Sequence, residues 1–158
     1  MQEEYGLKAI QWQAQRSFSH CPVFARRPDI DNSQGRLLIV EDDTALRRSL
    51  RTILDVMGFD VGEASNGEDG LVRLRMVDYE AVLLDINMPG MNGWEFVESF
   101  YEKFSANRLK CKVCLLSSSL DPRDKEKADK SEFVDFYFSK PLVPENVKAI
   151  CKEISVNI

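Results

Sequence analysis

From Arg36 onward, short and nearly continuous apolar runs alternate with segments in which apolar residues recur at helical spacing. Consecutive apolar positions are typical of parallel strands that are covered on both faces. Since each parallel crossover needs a covering helix and is almost always right-handed, the pattern indicates an α/β fold with an open, doubly wound, five-stranded sheet. We predict strands at residues 37–40, 81–84, 113–116 and 134–138, and a weaker edge strand at 59–64.

The segments between the strands predict covering helices. In the clearest one, Thr44 is placed to cap the start and Gly58 the end, and the apolar face comprises Leu46, Leu50, Ile53, Leu54 and Met57. The segment 121–132 differs, because Ala128 is its only apolar residue. We therefore expect the fourth helix to be short, loosely held or dependent on a partner.

Residues 1–34 differ from the rest of the chain. They are rich in Gln, Arg and Ser and lead into the turn-like stretch 31–35, so we predict an N-terminal extension at 1–34 and one domain at 35–158. The stripe of Leu7, Ile10, Ala14 and Phe18 permits a short docking helix, but a flexible extension is the favoured interpretation.

Charge and hydropathy exclude several classes of protein. The net charge of -5 argues against an extended basic surface for direct binding of nucleic acid or anionic lipid. No apolar run approaches the roughly 20 residues that cross a bilayer, and Glu3 and Glu4 stand where a secretory signal is basic. We predict a cytoplasmic protein without membrane insertion.

Cys111 and Cys114 form a C-x-x-C pair, which raises the question of a zinc or redox site. The pair lies in the stretch Cys-Lys-Val-Cys-Leu-Leu, which looks like a strand, and side chains three residues apart on a strand point to opposite faces. Buried structural thiols are therefore the favoured interpretation, and none of the four cysteines has the spacing of a disulfide framework.

Polar residues follow the predicted strands. The first strand is followed by Glu41 and Asp42, the third by Asp85, the fourth by Ser117 and the fifth by Lys140. In a doubly wound sheet, the functional crevice lies at the carboxyl ends of the strands. We expect the residues that follow the central strands to meet there.

Clustered carboxylates repel one another, and a cation resolves the repulsion. Oxygen ligands favour Mg²⁺, which is held by a few carboxylates and keeps waters that phosphate oxygens can replace. Phosphoryl transfer needs an in-line nucleophile and neutralisation of charge. Asp85 can supply the oxygen, and the ammonium of Lys140 can pair with a phosphoryl oxygen.

Four stretches carry these residues, and their order resembles that of a known family. They are 38–43 (Leu-Ile-Val-Glu-Asp-Asp), 83–93 (Leu-Leu-Asp-Ile-Asn-Met-Pro-Gly-Met-Asn-Gly), 116–118 (Leu-Ser-Ser) and 137–141 (Tyr-Phe-Ser-Lys-Pro). From residue 36 to about 156, the chain resembles the receiver domain of bacterial two-component response regulators. The resemblance implies a flavodoxin-like sheet with strand order 2-1-3-4-5 and a stand-alone receiver.

The resemblance also implies a role for each strand-end residue. Asp85 would be the phosphoacceptor and, with Asp42, a direct ligand of Mg²⁺. Glu41 would act through a metal-bound water, and Asn87 would offer its backbone carbonyl. Asp43 is then expected at the start of the helix, and Lys140-Pro141 resembles a family bond that is commonly cis.

Two further positions are implied to carry the signal. Ser117 stands where the family has a switch hydroxyl, and Tyr137 where it has a rotating aromatic, although an ordinary strand aromatic is the alternative for Tyr137. The hydroxyl would move toward the phosphoryl group, and the ring would fill the space it leaves. This would bias a surface made of helix 4, strand 5 and helix 5, where a homodimer is also expected to form.

The leading hypothesis is a signalling switch that takes a phosphoryl group from a phosphohistidine and then changes its affinity for a downstream protein. The donor would be a sensor histidine kinase or a histidine phosphotransfer protein, and the protein would promote its own phosphorylation and dephosphorylation. A phosphorelay shuttle is an open alternative. A phosphatase is disfavoured because Asn87 replaces a general acid, and a degenerate binding module is disfavoured because the acidic pair, acceptor, hydroxyl and lysine are all there.

Overall fold

The structure is a computed structural model that describes residues 35–104 and 110–156. The predicted N-terminal extension, with its choice between a flexible segment and a docking helix, lies outside the described residues. Within them, no helix is long and apolar enough to cross a membrane.

Five strands and five helices alternate along the described part of the chain. The strands are β1 (Arg36–Val40), β2 (Asp60–Ala64), β3 (Ala81–Asp85), β4 (Lys112–Ser117) and β5 (Phe136–Ser139). The helices are α1 (Thr44–Val56), α2 (Gly67–Met76), α3 (Gly93–Lys103), α4 (Pro122–Lys130) and α5 (Pro144–Val156). All strand pairs are parallel, and the order is β2-β1-β3-β4-β5. This confirms the predicted doubly wound, five-stranded α/β sheet.

The core consists of two apolar layers, one on each face of the sheet. One set of alternate strand residues faces α1 and α5 on one side of the sheet. It includes Leu37, Ile39 and Leu83. The strand residues between them face α2 and α3 on the other side. They include Leu38, Val40 and Leu84. Because both faces are covered, consecutive strand residues are apolar. This is the pattern from which the strands were predicted.

The start of α1 differs from the prediction. Thr44 is the first helical residue and not the cap, because the Asp43 side chain accepts from the backbone N–H groups of Ala45 and Leu46 at 2.8 and 2.9 Å. A carboxylate can accept from both groups, so the helix begins directly after it. The expected place of Asp43 at the helix start is confirmed, and Gly58 follows the C-cap with a φ of 88°.

The fifth strand begins two residues later than predicted. Asp135 precedes it, and its side chain accepts from the backbone N–H of Val113 at 2.8 Å, so the ladder starts only at Phe136. The fourth helix is short, as predicted: α4 has nine residues, and only Ala128 is buried.

The two cysteines of the C-x-x-C pair lie on opposite faces of the sheet, as predicted. Cys111 belongs to the layer with α2 and α3, and Cys114 to the layer with α1 and α5. Burial raises the pKa of the Cys111 thiol to about 12 and that of Cys114 well above its ordinary value. Both are buried structural thiols rather than a metal or redox pair.

Candidate functional site

The register of the strands brings the predicted polar residues to one edge of the sheet. Asp85 ends β3 and is paired with Leu116 of β4, so Ser117 lies one step beyond it. Ser117 is paired with Ser139, and the N–H of Lys140 donates to the Ser117 carbonyl at 2.8 Å. The acceptor edge, defined as Glu41, Asp42, Asp85, Ser117 and Lys140, is therefore built by four adjacent strands.

Three carboxylates meet at this edge. Glu41, Asp42 and Asp85 each place an oxygen within 4.8 Å of the others. Glu41 and Asp85 are only 1% and 4% exposed, whereas Asp42 is exposed. Three negative groups this close, two of them out of water, are costly without a cation.

Lys140 supplies one positive charge between the two buried carboxylates. Its Nζ lies 2.6 Å from Glu41 Oε2 and 3.1 Å from Asp85 Oδ1, and the Lys140-Pro141 peptide bond is cis. Burial raises the pKa of Glu41, and its hydrogen bonds from Lys140 and the Asp43 N–H only partly offset this. Burial lowers the pKa of Lys140, but its hydrogen bond to Glu41 and the nearby Asp85 outweigh burial and hold it above its ordinary value. The lysine is therefore charged at neutral pH.

One oxygen of Asp85 lacks a hydrogen bond. Oδ1 is buried, and although Lys140 lies at ion-pair distance, no hydrogen-bond donor among the described residues is aligned with it. Its partner among the described residues is therefore the charge of Lys140 alone, and the oxygen can still bind a cation. The exclusively oxygen-bearing cluster fits Mg²⁺, which prefers carboxylates and retains water.

The loop after β3 is held close to Asp85. The Gly93 N–H donates to the Ile86 carbonyl at 2.9 Å, and a Cβ at Gly93 would lie 2.8 Å from the Asp85 carbonyl oxygen. Only glycine allows this approach of α3 to the end of β3. Asn87 lies in the loop between them, two residues past Asp85, and is exposed.

The two predicted switch residues occupy different depths. Ser117 is fully buried, and its Oγ accepts from the Ser119 N–H at 2.9 Å. Tyr137 is paired with Leu115, two residues before Ser117, and packs half-buried against the layer of α2 and α3. The acceptor edge thus contains Ser117 itself, whereas Tyr137 lies farther back along β5.

Arg47 is a contact of this edge that the sequence analysis missed. Its Nη1 donates to the backbone carbonyls of Glu41 at 2.7 Å and Asp42 at 3.4 Å. Its position one turn into α1, just after the acidic residues, is the only signal in the sequence that points to it. A hydrogen bond from a side chain to the backbone produces no periodic pattern in the sequence, so it could not be predicted from one.

Comparisons with known proteins agree with this geometry. The family model of the response regulator receiver domain matches residues 37–152. The cell cycle response regulator CtrA of Brucella ovis is 30% identical over 107 residues, which are 68% of this chain and 44% of that protein. The chain therefore spans less than half the length of the curated relatives it matches.

Solved structures are similar in fold and sequence. A two component response regulator from Cytophaga hutchinsonii has a TM-score of 0.72 and 33% identity, covering 75% of this chain and 95% of that one. The response regulator protein TrrA from Thermotoga maritima, solved in complex with Mg²⁺-BeF, has a TM-score of 0.64 and 28% identity, covering 76% and 98%. This chain belongs to the response regulator receiver domain family of two-component systems.

Proposed function

We propose that the protein is a signalling switch that accepts a phosphoryl group on Asp85 from a phosphohistidine donor and then changes its binding to a partner. The observation that carries the proposal is the buried Asp85 Oδ1, which has no hydrogen-bond donor among the described residues and lies 3.1 Å from the Lys140 ammonium. A carboxylate oxygen in this setting can act as a nucleophile and as a ligand of a cation.

The ligand set for Mg²⁺ is the one that the family resemblance implies, and the contacts of Glu41 support one part of it. Asp42 and Asp85 would bind the ion directly, with the Asn87 backbone carbonyl as a further ligand. Both Glu41 oxygens already have partners, since Oε1 accepts from the Asp43 N–H at 3.1 Å and Oε2 from Lys140. This supports an indirect role for Glu41, through a metal-bound water. When bound, the ion supplies neutralisation of charge on the phosphoryl oxygens.

The reaction uses the residues of the acceptor edge. An oxygen of Asp85 attacks the phosphorus in line, the P–N bond to the donor histidine breaks, and the imidazole leaves with the electron pair. Lys140 pairs with a phosphoryl oxygen and offsets its charge. Later attack by water on the phosphorus of the acyl phosphate returns the Asp85 carboxylate and releases inorganic phosphate.

The signal would leave through Ser117 and the loop to α4. Three successive hydrogen bonds lead from Ser117 to the start of α4, and in each a side-chain oxygen accepts from the backbone N–H two residues later. Ser117 accepts from Ser119, Ser119 from Asp121, and Asp121 from Arg123. A Ser117 hydroxyl drawn toward a phosphoryl oxygen pulls on the first bond of this series. Together with a rotation of the Tyr137 ring, this would change the surface of α4, β5 and α5.

The partners follow from this chemistry. A sensor histidine kinase or histidine phosphotransfer protein would donate the group in the cytoplasm, and a downstream protein, or a second copy in a homodimer, would bind the surface of α4, β5 and α5. The acidic net charge of -5 supports a protein partner rather than direct nucleic-acid binding.

The test is the intact mass of the protein after incubation with a small acyl phosphate. Wild type with Mg²⁺ is expected to gain one phosphoryl group, and neither Asp85→Asn nor wild type with excess chelator should gain any. Asp43→Asn is the matched control, because it removes a neighbouring acid yet keeps an oxygen that can cap α1. Equal labelling of Asp85→Asn and wild type would place the acceptor elsewhere.

A further inference from the structure

Two side chains hold the backbone around Asp42: that of Glu41, whose Oε1 accepts from the Asp43 N–H at 3.1 Å, and that of Arg47. The carbonyls of Glu41 and Asp42 belong to the two peptide planes that flank the Asp42 Cα, and both accept from Nη1 of Arg47, at 2.7 and 3.4 Å. Because these planes set the backbone torsions of Asp42, they set the direction in which its carboxylate leaves the chain. Arg47 holds both of these planes, and it does so without a contact to the Asp42 side chain.

The other two carboxylates of the cluster are oriented in a different way. Glu41 is held by its own side-chain hydrogen bonds, and Asp85 is the last residue of the central strand β3. Asp42 is exposed, and its side chain makes no hydrogen bond to any residue that the structure describes. Of the three, only Asp42 relies on its backbone alone for its position.

The charge of Arg47 does not work against a cation at this site. Its Nε lies 3.6 Å from Glu63 Oε1 on β2, and the Arg47 side chain is only 16% exposed. A partly buried ion pair of this kind offsets the positive charge and also holds the guanidinium in place. We therefore expect the removal of Arg47 to weaken cation binding. The loss of a fixed position for Asp42 should outweigh the removal of the repulsion between the guanidinium and the cation.

We infer that Arg47 is a positioning residue that holds Asp42 toward Asp85 and so sets the affinity of the acidic cluster for a divalent cation. The inference rests on the proposed function, because it concerns the Mg²⁺ site of that reaction. Residues that orient metal ligands typically contribute ten- to a hundredfold in affinity. The lower end of that range applies, because Asp42 is one ligand of several.

The experiment measures Mg²⁺ affinity by isothermal titration calorimetry on the full chain. Arg47→Ala is expected to raise the dissociation constant about tenfold. Arg47→Lys keeps the charge and one donating group, so its dissociation constant should fall between those of wild type and Arg47→Ala. Arg51→Ala is the matched control, because Arg51 also pairs with Glu63 but donates to neither loop carbonyl. Its dissociation constant should stay within about twofold of wild type.

Two further readouts separate positioning from general damage. The melting temperature without Mg²⁺ should fall more in Arg47→Ala than in Arg51→Ala, because Arg47 also donates to two backbone carbonyls, but both variants should unfold in one cooperative transition. The rate of phosphorylation by a small acyl phosphate should fall in Arg47→Ala at low Mg²⁺ and recover at saturating Mg²⁺, because Asp85 and Lys140 are intact. A purely structural role would lower the rate at both concentrations.

Three outcomes would overturn the inference. They are unchanged or tighter Mg²⁺ binding by Arg47→Ala, an equal loss in Arg51→Ala, and a wild type that binds no Mg²⁺. The last outcome would also remove the metal from the proposed function. Failure of the inference alone is recognised when wild type binds Mg²⁺ and is phosphorylated, yet Arg47→Ala binds the ion equally well.

Discussion

The acceptor edge and α4 are built in opposite ways. Glu41, Asp85 and Ser117 at the acceptor edge are at most 4% exposed, and their contacts join residues far apart in the chain. In α4 only Ala128 is buried, and the charged residues pair one turn apart within the helix, as Lys125 does with Asp129. Beside this helix, Leu120 is 96% exposed.

The difference teaches that the proposed chemistry and the proposed output surface depend on different interactions. The acceptor edge depends on the packed core beneath it, where a lost contact costs several kcal/mol. The exposed pairs of α4 contribute about 0.3–0.5 kcal/mol each. We therefore expect changes in α4 to leave phosphoryl acceptance intact, and changes in the core to remove both.

The largest effect is expected from the core below the acceptor edge. Phe96 of α3 is fully buried, so Phe96→Ala should lower the free energy of unfolding by about 3–5 kcal/mol in urea denaturation. Ala128→Gly, which removes the only buried side chain of α4, should lower it by about 1 kcal/mol. Similar losses for the two variants would show that α4 is as firmly packed as the core.

The next effect concerns the rate of phosphorylation. Lys140→Ala removes the only cation within 4 Å of Asp85 among the described residues, so phosphorylation by a small acyl phosphate should slow by about a hundredfold. Lys112→Ala is the control, because Lys112 pairs with Asp135 at the amino end of β4. Its rate should stay within about twofold of wild type. An unchanged rate in Lys140→Ala would exclude a role for the ammonium.

A smaller effect, opposite in sign, is expected at the acceptor itself. Asp85→Asn removes one negative charge from the acidic cluster, so the free energy of unfolding in Mg²⁺-free buffer should rise by about 1–2 kcal/mol. Adding Mg²⁺ should raise the melting temperature of wild type more than that of Asp85→Asn. Asp78→Asn changes an exposed acid on the loop before β3 and serves as the control, with a change of at most about 0.5 kcal/mol. A destabilised Asp85→Asn would contradict the repulsion at this edge.

The smallest effect is expected in α4. Lys127 Nζ lies 4.2 Å from the centre of the Trp94 ring on α3, so Lys127→Ala should lower the free energy of unfolding by about 0.5–1 kcal/mol and change the emission of Trp94. Fluorescence is measured with Trp12 replaced by Phe, and Lys125→Ala should leave the emission unchanged. Phosphorylation should proceed at the wild-type rate in both variants. A slowed reaction in Lys127→Ala would mean that α4 supports the acceptor edge.

The sequence predicted most of the fold and of the acceptor edge because strands that are buried on both faces leave continuous apolar runs. The ends of these runs pointed to Asp85 and Lys140. In the structure, Asp85 is the last residue of β3, and Lys140 directly follows β5. The cap of α1 was assigned to Thr44 instead of Asp43, since both residue types cap helices and only geometry decides between them.

Other features had no local signal. The ion pair of Lys140 and Glu41 joins residues 99 positions apart, and the contact of Arg47 with the loop carbonyls connects a side chain to backbone. Neither produces a periodic pattern. The late start of β5 also depends on a tertiary contact, that of Asp135 with the Val113 N–H.

The most direct test of the central claim is the position of the phosphoryl group in the chain. An acyl phosphate is reduced by borohydride to an alcohol, which converts a phosphorylated aspartate into homoserine. After phosphorylation with Mg²⁺, reduction and proteolysis, peptide mass spectrometry is expected to find homoserine at position 85 and unmodified aspartate at positions 42 and 43. Homoserine at another position, with Asp85 unchanged in fully phosphorylated protein, would contradict the account.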